Sequence, residues 1–230
     1  MDKNNERPDL ILNVRKPVGW TSFDVIRFIK YRFKGLKVGH AGTLDPFAEG
    51  VLLICIGKAT KKVAELMNAE KEYAATIHLG VETDSLDLPG QIIKTFDVPL
   101  ITENEITIIK EKFTGVIEQK PPAFSALKYN GKRAYHIARK GGEVNLKKRK
   151  VHIYKLDLTV KRENRITLNV ICSKGTYIRA LARDIASNLG TVGYVQTLIR
   201  KRIGSYLLNS SVEINEIDKL LLKNQINWNV

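Results

Sequence analysis

The chain is short of the residues that staple, coordinate or anchor. Among 230 residues there are two cysteines, seven prolines, two tryptophans and four histidines. Cys55 and Cys172 stand far apart in apolar runs. That excludes a disulfide framework and reads as two reduced, buried thiols of a cytoplasmic protein. His40, His78, His136 and His152 form no pair at metal-ligand spacing on a helix, and no Cys-x-x-Cys exists, so no metal is expected. Gly57-Lys58-Ala59-Thr60 falls short of a phosphate-binding loop, because Leu52 and Ala59 stand where Gly and Ser or Thr are required. There is no Gly-x-Ser-x-Gly elbow. No apolar run approaches the ~20 residues that cross a bilayer. The opening Met1-Asp2-Lys3-Asn4-Asn5-Glu6 is too polar for a secretion signal. These absences point away from metal hydrolysis, nucleotide-phosphate cradling, serine hydrolysis and any membrane partner, and no cofactor is expected.

Acidic residues are also scarce. Lys and Arg number 38 against 24 Asp and Glu, a formal net charge of +14. With 43% hydrophobic residues the chain has the makings of a core, so the charge belongs to a folded surface and suggests a polyanionic partner. It is unevenly spread: residues 119–150 carry +9 and residues 161–202 carry +7, on either side of an acidic stretch, 81–118, at −5. In 119–150 the cations are interleaved with Phe124, Tyr129, Tyr135 and several glycines, and the block ends in Lys147-Lys148-Arg149-Lys150. A charge run is ordinarily a solvated face. The aromatics favour an element that holds phosphates while bases stack.

Strands are expected at Leu10–Val14, Val51–Ile56, Tyr73–Leu79 and Val195–Ile203, with a hairpin of Val151–Val160 and Ile166–Cys172 around Glu163-Asn164. Thr21 to Asp24 and Thr102 to Glu105 read as capped helix starts, the second helix running to about Phe113 before Gly115. Thr176–Leu189 and Ile214–Leu222 read as further helices. Strands and helices mix without strict alternation, so the expected class is α+β, a mixed or antiparallel sheet flanked by helices. No Gly/Ser linker and no repeat divides the chain, so one catalytic domain over 1–230 with a basic insertion at 119–150 is expected.

The densest chemistry lies in Val38-Gly39-His40-Ala41-Gly42-Thr43-Leu44-Asp45-Pro46-Phe47-Ala48-Glu49-Gly50. A lone carboxylate before proline is ordinarily a turn former. Here the glycines, His40 and the apolar strand that follows make Asp45 a candidate for chemistry instead. With Gly57-Lys58-Ala59-Thr60-Lys61 this segment resembles the catalytic motif of the TruB family of bacterial tRNA pseudouridine synthases. Five further segments resemble the family in the same order: Leu12 to Ser22 with Lys16-Pro17; Tyr73 in Lys71-Glu72-Tyr73; Gly80 to Asp87; Gln119 to Lys128, the start of the RNA-binding thumb; and Lys174-Gly175-Thr176-Tyr177-Ile178-Arg179. The resemblance covers residues 10–206.

It implies isomerisation of uridine 55 in the T-loop of tRNA, flipped out of its stack, with no cofactor and no guide RNA or protein partner. Asp45 would be the nucleophile, acting at the sugar C1′, at the base C6, or through a glycal route. Arg179 would offset its charge in a dry pocket, and Tyr73 would stack on the base and help move the C5 proton. His40 would fill space left by flipped nucleotides. Lys16 and Pro17 would shape the pocket floor, Leu198 would line it, and Gly42 and Thr43 would bring backbone to the substrate. Lys128, Lys132, Arg133 and Arg139 are the thumb's candidate phosphate contacts. Ile199-Arg200 stands where the family usually has two arginines. Only 24 residues follow Tyr206, so the PUA domain of many relatives is not expected. A monomer is expected. Two other readings stay open: a synthase acting on another RNA, and an RNA-binding or assembly module without catalysis. The joint presence of Asp45, Tyr73 and Arg179 disfavours the second.

Overall fold

Glu49–Ile56 is a strand covered on both faces, buried from Gly50 to Ile56. Alternate side chains leave a strand on opposite sides. Leu52, Ile54 and Ile56 pack with Val14, Val25, Ile26, Ile29, Phe33 and Ile217, while Val51 and Leu53 pack with Ala41 and Ile203. A strand with two cores has no side for polar residues, which is why its sequence does not alternate.

The computed structural model describes residues 9–162 and 164–223, which fall into two compact units. One takes the chain as far as Glu72 and again from Ile199; the other is Tyr73–Leu198. The changeovers at Glu72–Tyr73 and Leu198–Ile199 carry no linker composition, so the sequence shows no boundary there.

In the first unit Glu49–Ile56 runs antiparallel to Leu10–Lys16, from Leu10↔Ile56 to Lys16↔Gly50, and antiparallel to Val38–His40. Its start pairs in parallel with the end of Gly193–Ile203, as Ile199↔Glu49 and Arg200↔Gly50. Val212–Glu213 adds a parallel edge to Leu10–Lys16. The sheet is therefore mixed, as α+β class expects. The helix Ser22–Arg32 begins at a reciprocal cap: Asp24 N donates to the Thr21 hydroxyl, and Thr21 N donates to the Asp24 carboxylate at 2.9 Å. It buries Val25, Ile26 and Ile29 against the strands. At the far end, Ile214–Glu216 is a 3-10 turn and the helix proper is Ile217–Lys223, so the helix expected from Ile214 starts three residues late.

In the second unit Arg149–Lys161 lies antiparallel to Gly115–Gln119 and to Arg165–Cys172, the hairpin that the sequence suggested. Thr102 and Glu105 cap Glu103–Phe113 reciprocally. The helix expected from Thr176 is Ile178–Asn188. Tyr177 is its cap residue and makes no side-chain cap bond; the buried Gln119 holds the Tyr177 backbone, its amide oxygen accepting from Tyr177 N (2.8 Å) and its amide nitrogen donating to Tyr177 O (3.1 Å). Among the described residues no helix is long and apolar enough to cross a membrane.

Candidate active site

The loop that carries Asp45 leaves Val38–His40, crosses Ala41, and returns through Glu49–Ile56. Its backbone is held from three sides. Ser22 Oγ accepts from Leu44 N at 2.9 Å and donates to Leu44 O at 3.1 Å. Lys16 Nζ donates to Pro46 O (3.3 Å), Pro17 O (2.8 Å) and Trp20 O (2.6 Å), and Gly19 N donates to Pro46 O at 2.8 Å. Arg200, 1% exposed, donates to Gly42 O (3.1 Å), Thr43 O (3.2 Å) and Val51 O (2.6 Å). With Ala48 N donating to Asp45 O at 3.1 Å, every carbonyl from Gly42 to Pro46 is bonded, so the half-buried Asp45 sits on a fixed frame.

Arg200 was not among the site residues suggested by sequence, where it stood only as the remainder of a double arginine. Nothing local marks it. In a strand an arginine reads as a solvent-facing residue, and only the carbonyls of residues more than 140 positions away make its burial tolerable. Gly50 fixes the same corner. Its φ is +115°, and a Cβ there would lie 2.3 Å from the Arg200 carbonyl oxygen, so only glycine lets the two strands meet.

Lys16 is fully buried. Burial pulls its pKa down to about 8, against the attraction of Asp45 and with help from the charge of Arg200. Three carbonyl acceptors need the three protons of an ammonium, so the charged form completes the frame. Because the folded-state value lies below that of the unfolded chain, the unfolded state binds more protons between about pH 8 and the ordinary lysine value. Stability contributed by this group therefore rises with pH through that window. The melting temperature of wild type minus that of Lys16→Met should increase from pH 8 to pH 10. A constant difference would mean that Lys16 does not titrate in the fold.

His40 pairs in register with Ile54 and is half-buried. Burial first, and Arg200's charge second, lower its pKa, so the ring is neutral near pH 7; its Nδ1 has no hydrogen-bond partner among the described residues. Pro17, beside Lys16, is half-buried with its carbonyl bound by Lys16. Lys16, Pro17, His40, Gly42, Thr43 and Asp45 thus share the first unit.

Tyr73, Arg179 and Leu198 lie in the second unit, all buried. Tyr73 is on the buried side of Lys71–Leu79, with Ala75, Ile77 and Leu79. Arg179 is the second residue of its helix, where a solvated cation would be ordinary, yet it is 4% exposed. Its guanidinium pairs with Asp87 at 3.1 Å and donates to Ser85 O (2.8 Å) and Phe124 O (2.9 Å). Asp87 also accepts from Ser85 Oγ. One cation therefore ties together the Ser85–Asp87 turn, the helix start and the beginning of the basic insertion. Gly80 to Asp87 was read as a motif, but the sequence gave no reason to pair its carboxylate with Arg179.

The insertion itself begins where Gly115–Gln119 ends and closes where Arg149–Lys161 starts. It is more ordered than its composition suggests. Lys128–Tyr129 and Lys132–Arg133 form a two-residue hairpin around Asn130-Gly131, both at positive φ, and Ala134–Ala138 is a short helix. Asn-Gly between short strands is a strong turn signal and was there to be read. Lys128, Lys132, Arg133 and Arg139 are all exposed. Arg133 also bonds Ala126 O, and Arg139 lies 5.7 Å over the Tyr135 ring.

Residues 30–178 match the family described as TruB family pseudouridylate synthase (N terminal domain). The chain belongs to the TruB family. Among its relatives, the tRNA pseudouridine synthase B of Parabacteroides distasonis is 45% identical over 222 residues, covering 94% of each chain. That of Bacteroides thetaiotaomicron is 46% identical over 213 residues, covering 88% of this chain and 89% of the other. Among solved structures, a chain of a Cbf5-Nop10-Gar1 complex superposes with a TM-score of 0.71 at 28% identity, covering 95% of this chain. This TruB-family chain spans 56% of that one.

Proposed function

We propose that this chain isomerises uridine 55 in the T-loop of tRNA to pseudouridine, with Asp45 as nucleophile and without a cofactor, guide RNA or protein partner. The observation that carries the reading is the loop Gly42–Pro46, whose backbone is fixed by Ser22, Lys16 and Arg200 around one carboxylate. The tRNA pseudouridine synthase B relatives support the choice of substrate. In the reaction the N1–C1′ bond breaks, the base turns, and C5 bonds to C1′. The proton leaving C5 is matched by one gained at N1, so nothing is oxidised and nothing is lost. What the protein must supply is a nucleophile, a place to hold the detached base, and a proton path. Asp45 provides the first. Tyr73 offers a ring to stack on the base and a hydroxyl for the proton. Arg179 balances the nucleophile's charge when water is displaced. The reading takes residues 1–230 as a single catalytic domain whose insertion, residues 119–150, is the thumb. Extruding a base costs a few kcal/mol of stacking, which phosphate contacts from the thumb offset.

An unmodified T-arm stem-loop incubated with the protein in metal-free buffer should gain pseudouridine at one position, read by mass spectrometry after selective labelling. No product there, with product on another RNA, would move the substrate assignment; no product on any RNA would sink catalysis. The exposed run Lys147-Lys148-Arg149-Lys150 tests the thumb. Changing all four to glutamine should weaken tRNA binding and flatten the plot of log K against log salt by up to about 3. An unchanged slope makes the run a solvated face.

A further inference from the structure

We propose that the outer face of the helix Ser22–Arg32 and the groove beside it hold an unpaired nucleotide of the RNA substrate, its base against Tyr31 and its phosphate on Arg27. The proposal rests on the function proposed above and adds a second place of contact, on a segment other than the thumb. The groove is open, about 610 Å³, and lined by Trp20, Asp24, Arg27, Phe28, Tyr31 and Arg32. That volume is of the order that holds a small ligand.

Three features select the occupant. The helix buries Val25, Ile26 and Ile29, so Phe23, Arg27, Lys30 and Tyr31, at helical spacing, share the outer face. Two of these are aromatic and uncovered: Phe23 is 68% exposed and Tyr31 73%. The residues around them are cationic. Lys34 Nζ lies 5.5 Å from the Tyr31 ring centre, and among the described residues Arg27 is held by an exposed pair with Asp24, which a phosphate can exchange without burying charge. Residues 22–38 contain five Lys and Arg against one acid. Exposed rings bordered by cations match bases and phosphates, and lysines such as Lys30 and Lys34, which share or border this face, are depleted at protein interfaces. The base must be unpaired, because a stacked duplex offers its faces to nothing.

The wall is built before any ligand arrives. Trp20 meets Phe28 edge-on with ring centres 5.9 Å apart, and the Arg32 guanidinium, fixed by Asp218, lies 3.5 Å over the other ring. The floor is tied to the Asp45 loop through Gly19 N to Pro46 O and Lys16 Nζ to Trp20 O. A nucleotide in the groove would therefore steady the segment that braces that loop.

Affinity for unmodified tRNA, measured by filter binding over a salt series, tests this. Tyr31→Ala should weaken binding about tenfold with the salt slope unchanged, as loss of one stacked base does. Tyr31→Phe should restore wild-type affinity. Arg27→Gln should reduce the slope by about 0.7, one single-strand phosphate contact. Both side chains changed are on the surface, so folding is not at stake. Wild-type affinity and slope in Tyr31→Ala and Arg27→Gln would overturn the proposal, and is what a groove for a protein partner would give. If the wild-type chain binds tRNA but forms no pseudouridine, the proposed function fails while these affinities still decide the groove. If it binds no tRNA, both fail.

Discussion

Asp45→Asn is expected to lower pseudouridine formation by several orders of magnitude while leaving tRNA affinity and melting temperature near wild type. The substitution keeps the size of the side chain and removes the charge that makes it a nucleophile. The loop's backbone is held by groups other than that carboxylate. Its backbone is fixed through Leu44 by Ser22, through Pro46 by Lys16 and Gly19, and through Gly42 and Thr43 by Arg200. A variant that folds and binds yet does not turn over isolates the chemical step. Single-turnover rates with saturating enzyme make the measurement, since they exclude product release. A rate within tenfold of wild type would show that another group attacks.

Arg179→Met should be the most damaging change in the second unit, for stability as well as for turnover. The pair with Asp87 is almost wholly buried, the side chains being 5% and 10% exposed. Removing one partner of such a pair costs about 3–5 kcal/mol, because the other charge stays buried without it. Two carbonyls, of Ser85 and Phe124, lose a donor in the same step. Denaturant unfolding should show the loss. Adding Asp87→Asn to Arg179→Met should recover part of it, since the stranded carboxylate is then gone. A double variant as unstable as the sum of the two singles would mean that the pair is not what Arg179 contributes. Turnover should stay low in both variants, because the recovered stability does not return the cation.

The elements whose signals are local were legible. Thr21 with Asp24 and Thr102 with Glu105 each complete a cap within four residues, so the helix starts are written where they occur. Glu49–Ile56 announces its burial by its lack of alternation. Glycine density and His40 drew attention to the loop of Asp45. What was missed depended mostly on partners that periodicity does not reveal. The start of Ile178–Asn188 has no side-chain cap, and the residue before it is held by Gln119, 58 residues away, so composition placed the start at Thr176. Val63–Asn68 is only six residues long and is closed by the Lys71 ammonium on the carbonyls of Met67 and Ala69, which no periodicity reveals. Arg200 was passed over because a buried arginine looks like an exposed one until its acceptors are known. The Asn130-Gly131 turn was local and readable, and was obscured by the charge around it.

The corner where Gly50 meets Arg200 also sets a timetable. Asp45 lies in the first quarter of the chain, but Arg200, which holds its loop, is 149 residues beyond the Val51 carbonyl that it binds. Contacts so far apart in sequence are slow to form, because the long loop between them must close first. During synthesis, the segment bearing the nucleophile leaves the ribosome long before its clamp has been made. A nascent chain thus carries every residue of the loop without the loop's shape, and the site is assembled only when the strand Gly193–Ile203 has emerged.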